Sequence, residues 1–196
     1  MKVLGCIIAG GASSRMGTEK ALMQLGGKPL ISLVTEKLTR QVDGLWINAN
    51  GDLARFSFLN IPIIADRLIT GGTPLAGLHA SLYYASRAGF EAVLSVPSDT
   101  PFLPYDLRIR LESVAPAIAA SRGQVHYLTG LWPVSLLQRL ETAITQHNLK
   151  RVWEWAKLVE ANPVDWAGGI YDPFFNINSP ADLALAETCL ALSEKP

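Results

Sequence analysis

The chain has little of what marks several common protein classes. Charged residues fill only 17% of its 196 positions, and its 17 basic and 17 acidic side chains cancel. With no global positive field, a dedicated nucleic-acid binder is excluded, and any anionic ligand must be held by a local arrangement of groups. There are two cysteines, Cys6 and Cys189, at opposite ends of the chain and without metal-type spacing. Neither a disulfide framework nor a thiolate metal site is expected. Both lie in apolar patterns and read as core residues of a reduced, cytoplasmic protein. No apolar stretch approaches the roughly 20 residues of a membrane span, so no membrane partner is expected. The start, MKVLGCIIAGGA, has one Lys before about seven apolar residues, the lower limit of a signal-peptide core, and reads as mature protein. The three histidines, His79, His126 and His147, show no ligand spacing and read as structural or surface residues.

What the chain does have is apolar residues, 49% of it, arranged in runs between turn signals. Val3–Ile8 is continuously apolar and ends in glycines, as a strand buried on both faces would. Helical spacing follows from Pro29 through Val42. Gly44–Asn50 and Ile61–Asp66 read as second and third strands, a helix from about Leu75 ends at Gly89, and Glu91–Asp99 is a fourth strand. PYDLRIRLESV reads as a helix with Pro104 in its first turn. Later, Gln124–Val134 looks like a strand, Ser135–His147 and LKRVWEWAKLVEA like helices, and Phe174–Asn178 like a strand tip. Ser179-Pro180-Ala181-Asp182 opens the last helix with a cap, a proline and a carboxylate. Strands alternating with helices make the fold class α/β, one Rossmann-like three-layer domain with a mostly parallel sheet. One domain is expected over 1–196, with a regular half over about 1–115, a less regular half over about 116–196 and room for an extension around 117–170.

Ligands of open α/β sheets bind beyond the carboxyl ends of the strands. The first strand delivers Ala9-Gly10-Gly11, then Arg15 and Lys20; the second delivers Asn48 and Asn50, the third Asp66 and the fourth Asp99. Gly10 and Gly11 let backbone N–H groups approach phosphate oxygens without a Cβ in the way. Arg15 offers a fork and Lys20 a point charge to a triphosphate. Asp99 is a hard oxygen ligand suited to Mg²⁺ held jointly with phosphates. Asp66 suits hydroxyl or base-edge groups, or else caps a turn. Of Asn48 and Asn50 only one is expected to be a ligand, Asn48. A Walker A loop is absent, because Gly26-Gly27-Lys28 is followed by Pro29, and no G-x-G-x-x-G follows the first strand.

IIAGGASSRMGTEKALMQLGGKPLI closely resembles the signature of the molybdenum cofactor nucleotidyltransferases, in particular the guanylyltransferases, which read L-A-G-G-x-S-x-R-M-G-x-x-K and then G-K-P-L. The likeness continues through INAN, Asp66, TPLAGL (73–78), PSDTPFLP (97–104) and FFNINSPADL, in family order from residue 7 to 183. It implies a fold of the nucleotide-diphospho-sugar transferase type and Mg²⁺-dependent transfer of GMP from GTP to the terminal phosphate of molybdopterin, with pyrophosphate leaving. By position, Ile8, Ala9, Gly10, Gly11 and Lys20 would hold GTP, Asn48 and Asp66 the nucleoside, and Asp99 both GTP and the metal. Arg15 and Lys20, with Asp99, would be the catalytic residues, the two cations stabilising the departing pyrophosphate. No general base is needed, since a phosphate nucleophile is already ionised.

Cytidylyltransferase relatives carry L-A-A-G where this chain has Ile8-Ala9-Gly10-Gly11. The glycine pair removes a methyl where a larger purine needs room, which favours GTP over CTP. Two departures stand out: Ile8 for Leu, and Thr73 where the common form has Gly. On the acceptor side, Lys150 and Arg151 near Trp153 and Trp155 suit a phosphate and a flat ring, or form a helix-surface pair beside a core tryptophan. Asn176 and Asn178 either touch the acceptor or brace the loop before Ser179. A monomer is expected, with molybdopterin-synthesis or molybdoenzyme-maturation proteins as implied partners. The other readings are a cytidylyl- or sugar-phosphate nucleotidyltransferase on the same scaffold, and a non-catalytic adaptor that delivers molybdopterin.

Overall fold

The structure, a computed structural model, describes residues 1–10, 20–68, 72–167, 169 and 171–193. Gly11 and Arg15 lie outside the described residues. Along the chain run β1 (Val3–Ile8), a hairpin of β2 (Gln24–Leu25) and β3 (Lys28–Pro29), α1 (Leu30–Thr39), β4 (Gly44–Asn48), β5 (Ile63–Ile64) and α2 (Pro74–Arg87). Then come β6 (Ala92–Pro97), α3 (Leu107–Glu112), β7 (Ala117–Ser121), β8 (Gln124–Pro133), α4 (Leu137–Thr145), α5 (Val152–Leu158), β9 (Asn162–Trp166) and α6 (Pro180–Ser193).

Seven strands form one sheet in the order β5-β4-β1-β6-β8-β7-β9. β1 pairs in parallel with β4 and β6, β5 with β4 and β9 with β7; only β8 runs antiparallel to its two neighbours. The period-2 alternation of β1 sorts its side chains between two layers. Val3 and Ile7 pack with α1 and α3, while Leu4, Cys6 and Ile8 pack with α2, α4 and α5. Cys6 is a core residue, as its apolar setting suggests. Burial pushes its thiol up to about 12, and Ser81 hydrogen-bonds to its sulfur. A third apolar cluster joins Leu25 and Leu30 to Phe102, Ile177 and Ala186 of α6, so the last helix is fastened to the hairpin near the N-terminus. The Gly26 N–H also donates to Glu187 of α6 at 2.9 Å.

Several boundaries differ from the sequence expectation, each for a local reason. α1 begins at Leu30, because Pro29 is held extended in the hairpin (φ −55°, ψ 141°). α3 begins at Leu107, past Pro104. β5 is two residues long: Pro62 accepts from the Ile47 N–H but has no N–H of its own to return. Residues 174–178 are not a strand; the segment touches the neighbouring loop through one backbone bond, Ile177 N–H to Asp99 O at 3.0 Å. β7 and β9 were not anticipated, since AIAAS is rich in alanine and NPVDW carries a proline and an aspartate. No helix among the described residues is long and apolar enough to cross a membrane.

Candidate active site

A cavity of about 430 Å³ opens beyond the carboxyl ends of β1 and β6. Ile8, Ala9, Gly10 and Pro97–Thr100 form one wall, Val125–Thr129 of β8 form the other, and Lys20, Pro74 and Asn176 lie between. The parallel strands therefore deliver their ends where the α/β architecture expects a ligand.

Asp99 sits on the turn after β6. Its Oδ1 accepts from the Asn176 amide at 2.7 Å, and Lys20 Nζ donates to Asn178 Oδ1 at 2.6 Å. Ile177, between the two asparagines, is buried in the cluster under α6, while the amides on either side of it reach Asp99 and Lys20. Burial pushes the Asp99 carboxyl above the usual carboxylate range, while the Asn176 amide and the Lys20 ammonium pull it partly back. A half-buried carboxylate braced by one side-chain amide is well suited to a cation. Among the described residues no group of three potential metal ligands exists, so an ion at Asp99 would complete its shell from phosphates and water. Asn176 and Asn178 thus act as braces, one on the carboxylate and one on the cation.

The second strand end is organised around Asp66. Asn48 Nδ2 donates to Asp66 Oδ1 at 3.0 Å and Asn50 Nδ2 to Asp66 Oδ2 at 2.8 Å, while Asn50 Oδ1 accepts from the Asp66 N–H. Both asparagines therefore serve the carboxylate. Asn48 is 1% exposed, and its Oδ1 has no hydrogen-bond partner among the described residues. That oxygen lies against Gly77 on α2, where a Cβ would come within 2.2 Å of it. Only glycine fits there, which gives the TPLAGL stretch a physical reason. At Gly10 a Cβ would meet Asn48 Oδ1 and Asn50 Nδ2 at 3.6 Å, an ordinary contact, so packing alone does not demand glycine at the cavity wall. Thr73 causes no strain: its backbone is extended (φ −85°) and its side chain caps α2 by accepting from the Ala76 N–H.

The wall from β8 was the part sequence reasoning missed. The β7–β8 register jumps from Ile118↔Gly130 to Ala119↔His126, so Tyr127–Thr129 bulge out of the ladder. The bulge brings all of Val125 through Thr129 to the cavity's border, with Tyr127 and Leu128 also packed against the core layer of α2. Ser95 fastens the bulge, donating to Leu128 O at 2.7 Å and accepting from Trp132 Nε1 at 2.9 Å. His126 lies in this wall and is neither a core nor a plain surface residue. His79 is buried in α2, 3.6 Å from Glu141, and His147 is exposed.

Of the residues singled out from sequence, the structure gathers Ile8, Ala9, Gly10, Lys20, Asp99 and Asn176 around the cavity, with Asn178 bonded to Lys20. Asn48 and Asp66 stand just behind Gly10. Lys150 and Arg151 are exposed before α5 and are not among the lining residues; Trp155 is wholly buried in the core, and Trp153 is 36% exposed beneath Lys157.

The MobA-like NTP transferase domain matches residues 5–161 of the chain. A molybdenum cofactor guanylyltransferase of Rhodobacter capsulatus is 44% identical, over 95% of this chain and 96% of its own. One of Cereibacter sphaeroides is 40% identical, over 97% and 98%. Among solved structures, molybdopterin-guanine dinucleotide biosynthesis protein A of Archaeoglobus fulgidus superposes with a TM-score of 0.73 at 25% identity, covering 96% of this chain and 99% of that one. Matched by that domain over most of its length and by these relatives over nearly all of it, the chain belongs to the MobA-like NTP transferase family, among the molybdenum cofactor guanylyltransferases.

Proposed function

We propose that the protein transfers GMP from Mg²⁺-bound GTP to the phosphate of molybdopterin, releasing pyrophosphate. The observation that carries the reading is the pairing of Asp99 and Lys20 in one cavity, each braced by an asparagine of the same segment. Gly10 leaves the end of β1 open to a nucleotide. Asn48 and Asp66, held against each other behind it, suit the nucleoside's hydroxyl or base-edge groups, and the partnerless Asn48 Oδ1 is a ready acceptor for one donor.

In the reaction an oxygen of the acceptor phosphate bonds to the α-phosphorus of GTP, and the bond from that phosphorus to the bridging oxygen of pyrophosphate breaks. A divalent cation at Asp99, for which Mg²⁺ is proposed, would supply charge neutralisation on the phosphates. Lys20 supports the negative charge that collects on the leaving group, and Asn178 keeps its ammonium in place. Asn176 fixes the carboxylate of Asp99, so little reorganisation is needed when the nucleotide arrives. Arg15, outside the described residues, is proposed as the second cation on the pyrophosphate.

Calorimetric titration of the protein with GTP, CTP, ATP and UTP in Mg²⁺ tests the nucleotide assignment. GTP is expected to bind tightest; tighter binding of CTP would replace the guanylyl reading with the cytidylyl one.

A further inference from the structure

We infer that His126 is the contact for the acceptor's phosphate, presented to it by a hydrogen-bonded chain through Ser121 to Asp172. The inference rests on the guanylyl-transfer reading and adds to it the residue that receives the second substrate. Ser121 Oγ has one hydrogen and donates it to Asp172 Oδ1 at 2.7 Å. In the 2.8 Å contact between Ser121 Oγ and His126 Nε2 the ring nitrogen must then be the donor. This fixes the tautomer: Nε2 carries the hydrogen and Nδ1 the lone pair. Among the described residues Nδ1 has no hydrogen-bond partner, and the residue lines the cavity. Phe174 packs against the ring at 5.0 Å, and its N–H holds the same Asp172 oxygen at 2.9 Å. A histidine that merely filled space would need none of this support.

Charge points the same way. Among the described lining residues Lys20 is the one permanent cation, and His126 is the one other side chain able to become cationic. The acceptor phosphate must approach a triphosphate that is already anionic. A protonated His126 offers Nδ1–H to a phosphate oxygen while Nε2–H stays on Ser121 and Asp172 balances the imidazolium. The charged group acting on the ring is Asp172, through Ser121; Lys20 and Asp99 line the same cavity, and Arg122, on the adjoining turn, donates to Gly169 O. Burial holds the imidazole below its ordinary pKa and Asp172 opposes that; a phosphate anion beside Nδ1 would favour the protonated ring further. The segment that positions His126 continues to Asn176 and Asn178, so both substrates are registered against one stretch of chain.

The test uses the full chain with two variants that mimic different ring nitrogens. His126→Gln keeps an amide where Nε2 bonds Ser121 and loses the Nδ1 group; His126→Asn places its amide near Nδ1. His126→Gln is expected to raise the KM for molybdopterin about 10- to 100-fold, the scale of one hydrogen bond to a charged group, with GTP affinity unchanged. His126→Asn is expected to recover part of that loss. An unchanged acceptor KM in His126→Gln, or an equal loss of GTP affinity, overturns the inference. Independently of either variant, the wild-type His126 imidazole, followed by NMR, is expected to titrate at higher pH with molybdopterin bound than without it. No change overturns the inference even in a protein that transfers GMP normally. A wild-type protein that binds molybdopterin with this shift but transfers no GMP would instead count against the guanylyl-transfer reading, and failure to bind molybdopterin overturns both.

Discussion

The two walls of the cavity are built in opposite ways. On the β1–β6 side, parallel strands stop in line and their ends carry the polar groups, so the ladder itself sets the positions of Gly10 and Asp99. On the β8 side an antiparallel strand passes the end of β6, leaves its own register for three residues and is tied down by side chains, Ser95 below and the Ser121–Asp172 pair above. The first wall follows from the architecture of open α/β sheets, whereas the second depends on a bulge and the side chains that hold it. The proposed function assigns nucleotide handling to the first wall, and the inference from His126 assigns acceptor handling to the second.

Substitutions that strike one wall alone are the way to break that comparison. The largest effect is expected for Asp99→Asn, which keeps the shape beside Asn176 and removes the charge. Steady-state kcat should fall by on the order of 10²- to 10³-fold, while the thermal midpoint does not drop. Gly77→Ala comes next. The added methyl collides with Asn48 Oδ1, so GTP KM should rise on the order of 10-fold and stability fall by about 1–3 kcal/mol, with acceptor KM unchanged. Ser95→Ala is the counterpart on the other wall. It releases the bulge and leaves Trp132 Nε1–H without its partner, for a loss of about 1–3 kcal/mol in denaturant unfolding. Acceptor KM should rise there and GTP affinity hold.

The contrast between the walls also explains what could be read from the sequence. The nucleotide wall was legible because each strand end coincides with a break in an apolar run: Ile8 to Gly10, Ile47 to Asn50, Val96 to Asp99. The braces were visible as residues but not as partners, since Asn176 and Asp99 meet only in the tertiary structure, through the packing of Ile177 under α6 and its N–H bond to Asp99 O. The bulge left no local mark; QVHYLTGLWP reads as an ordinary strand until its pairing with AIAAS is known, and AIAAS itself is too rich in alanine to be recognised as a strand. His126 was therefore set aside for want of ligand spacing, although its partners, Ser121 and Asp172, are five and 46 positions away. Lys150 and Arg151 were attractive for their charge, yet α5 packs on the α2 layer and leaves them outside the cavity.

The smallest expected effect concerns pH, and it lies away from both walls. Burial holds His79 below its ordinary pKa, against the pull of Glu141, so in the fold it stays neutral where the unfolded chain takes up a proton. Below about pH 6.5 the unfolded state binds more protons, and stability should decline with acidification until His79 itself titrates at its lowered folded-state pKa. His79→Leu should flatten that part of the curve in a pH series of thermal melts. His126, shifted in the same direction, should leave a residual slope.

The most direct measurement is pyrophosphate release by the wild-type protein with Mg²⁺, in the presence of GTP alone, molybdopterin alone and the two together. Release only with both, in a one-to-one ratio to the guanine dinucleotide formed, is the expected result. Equal release with GTP alone, or none with both substrates bound, would contradict guanylyl transfer across a shared cavity.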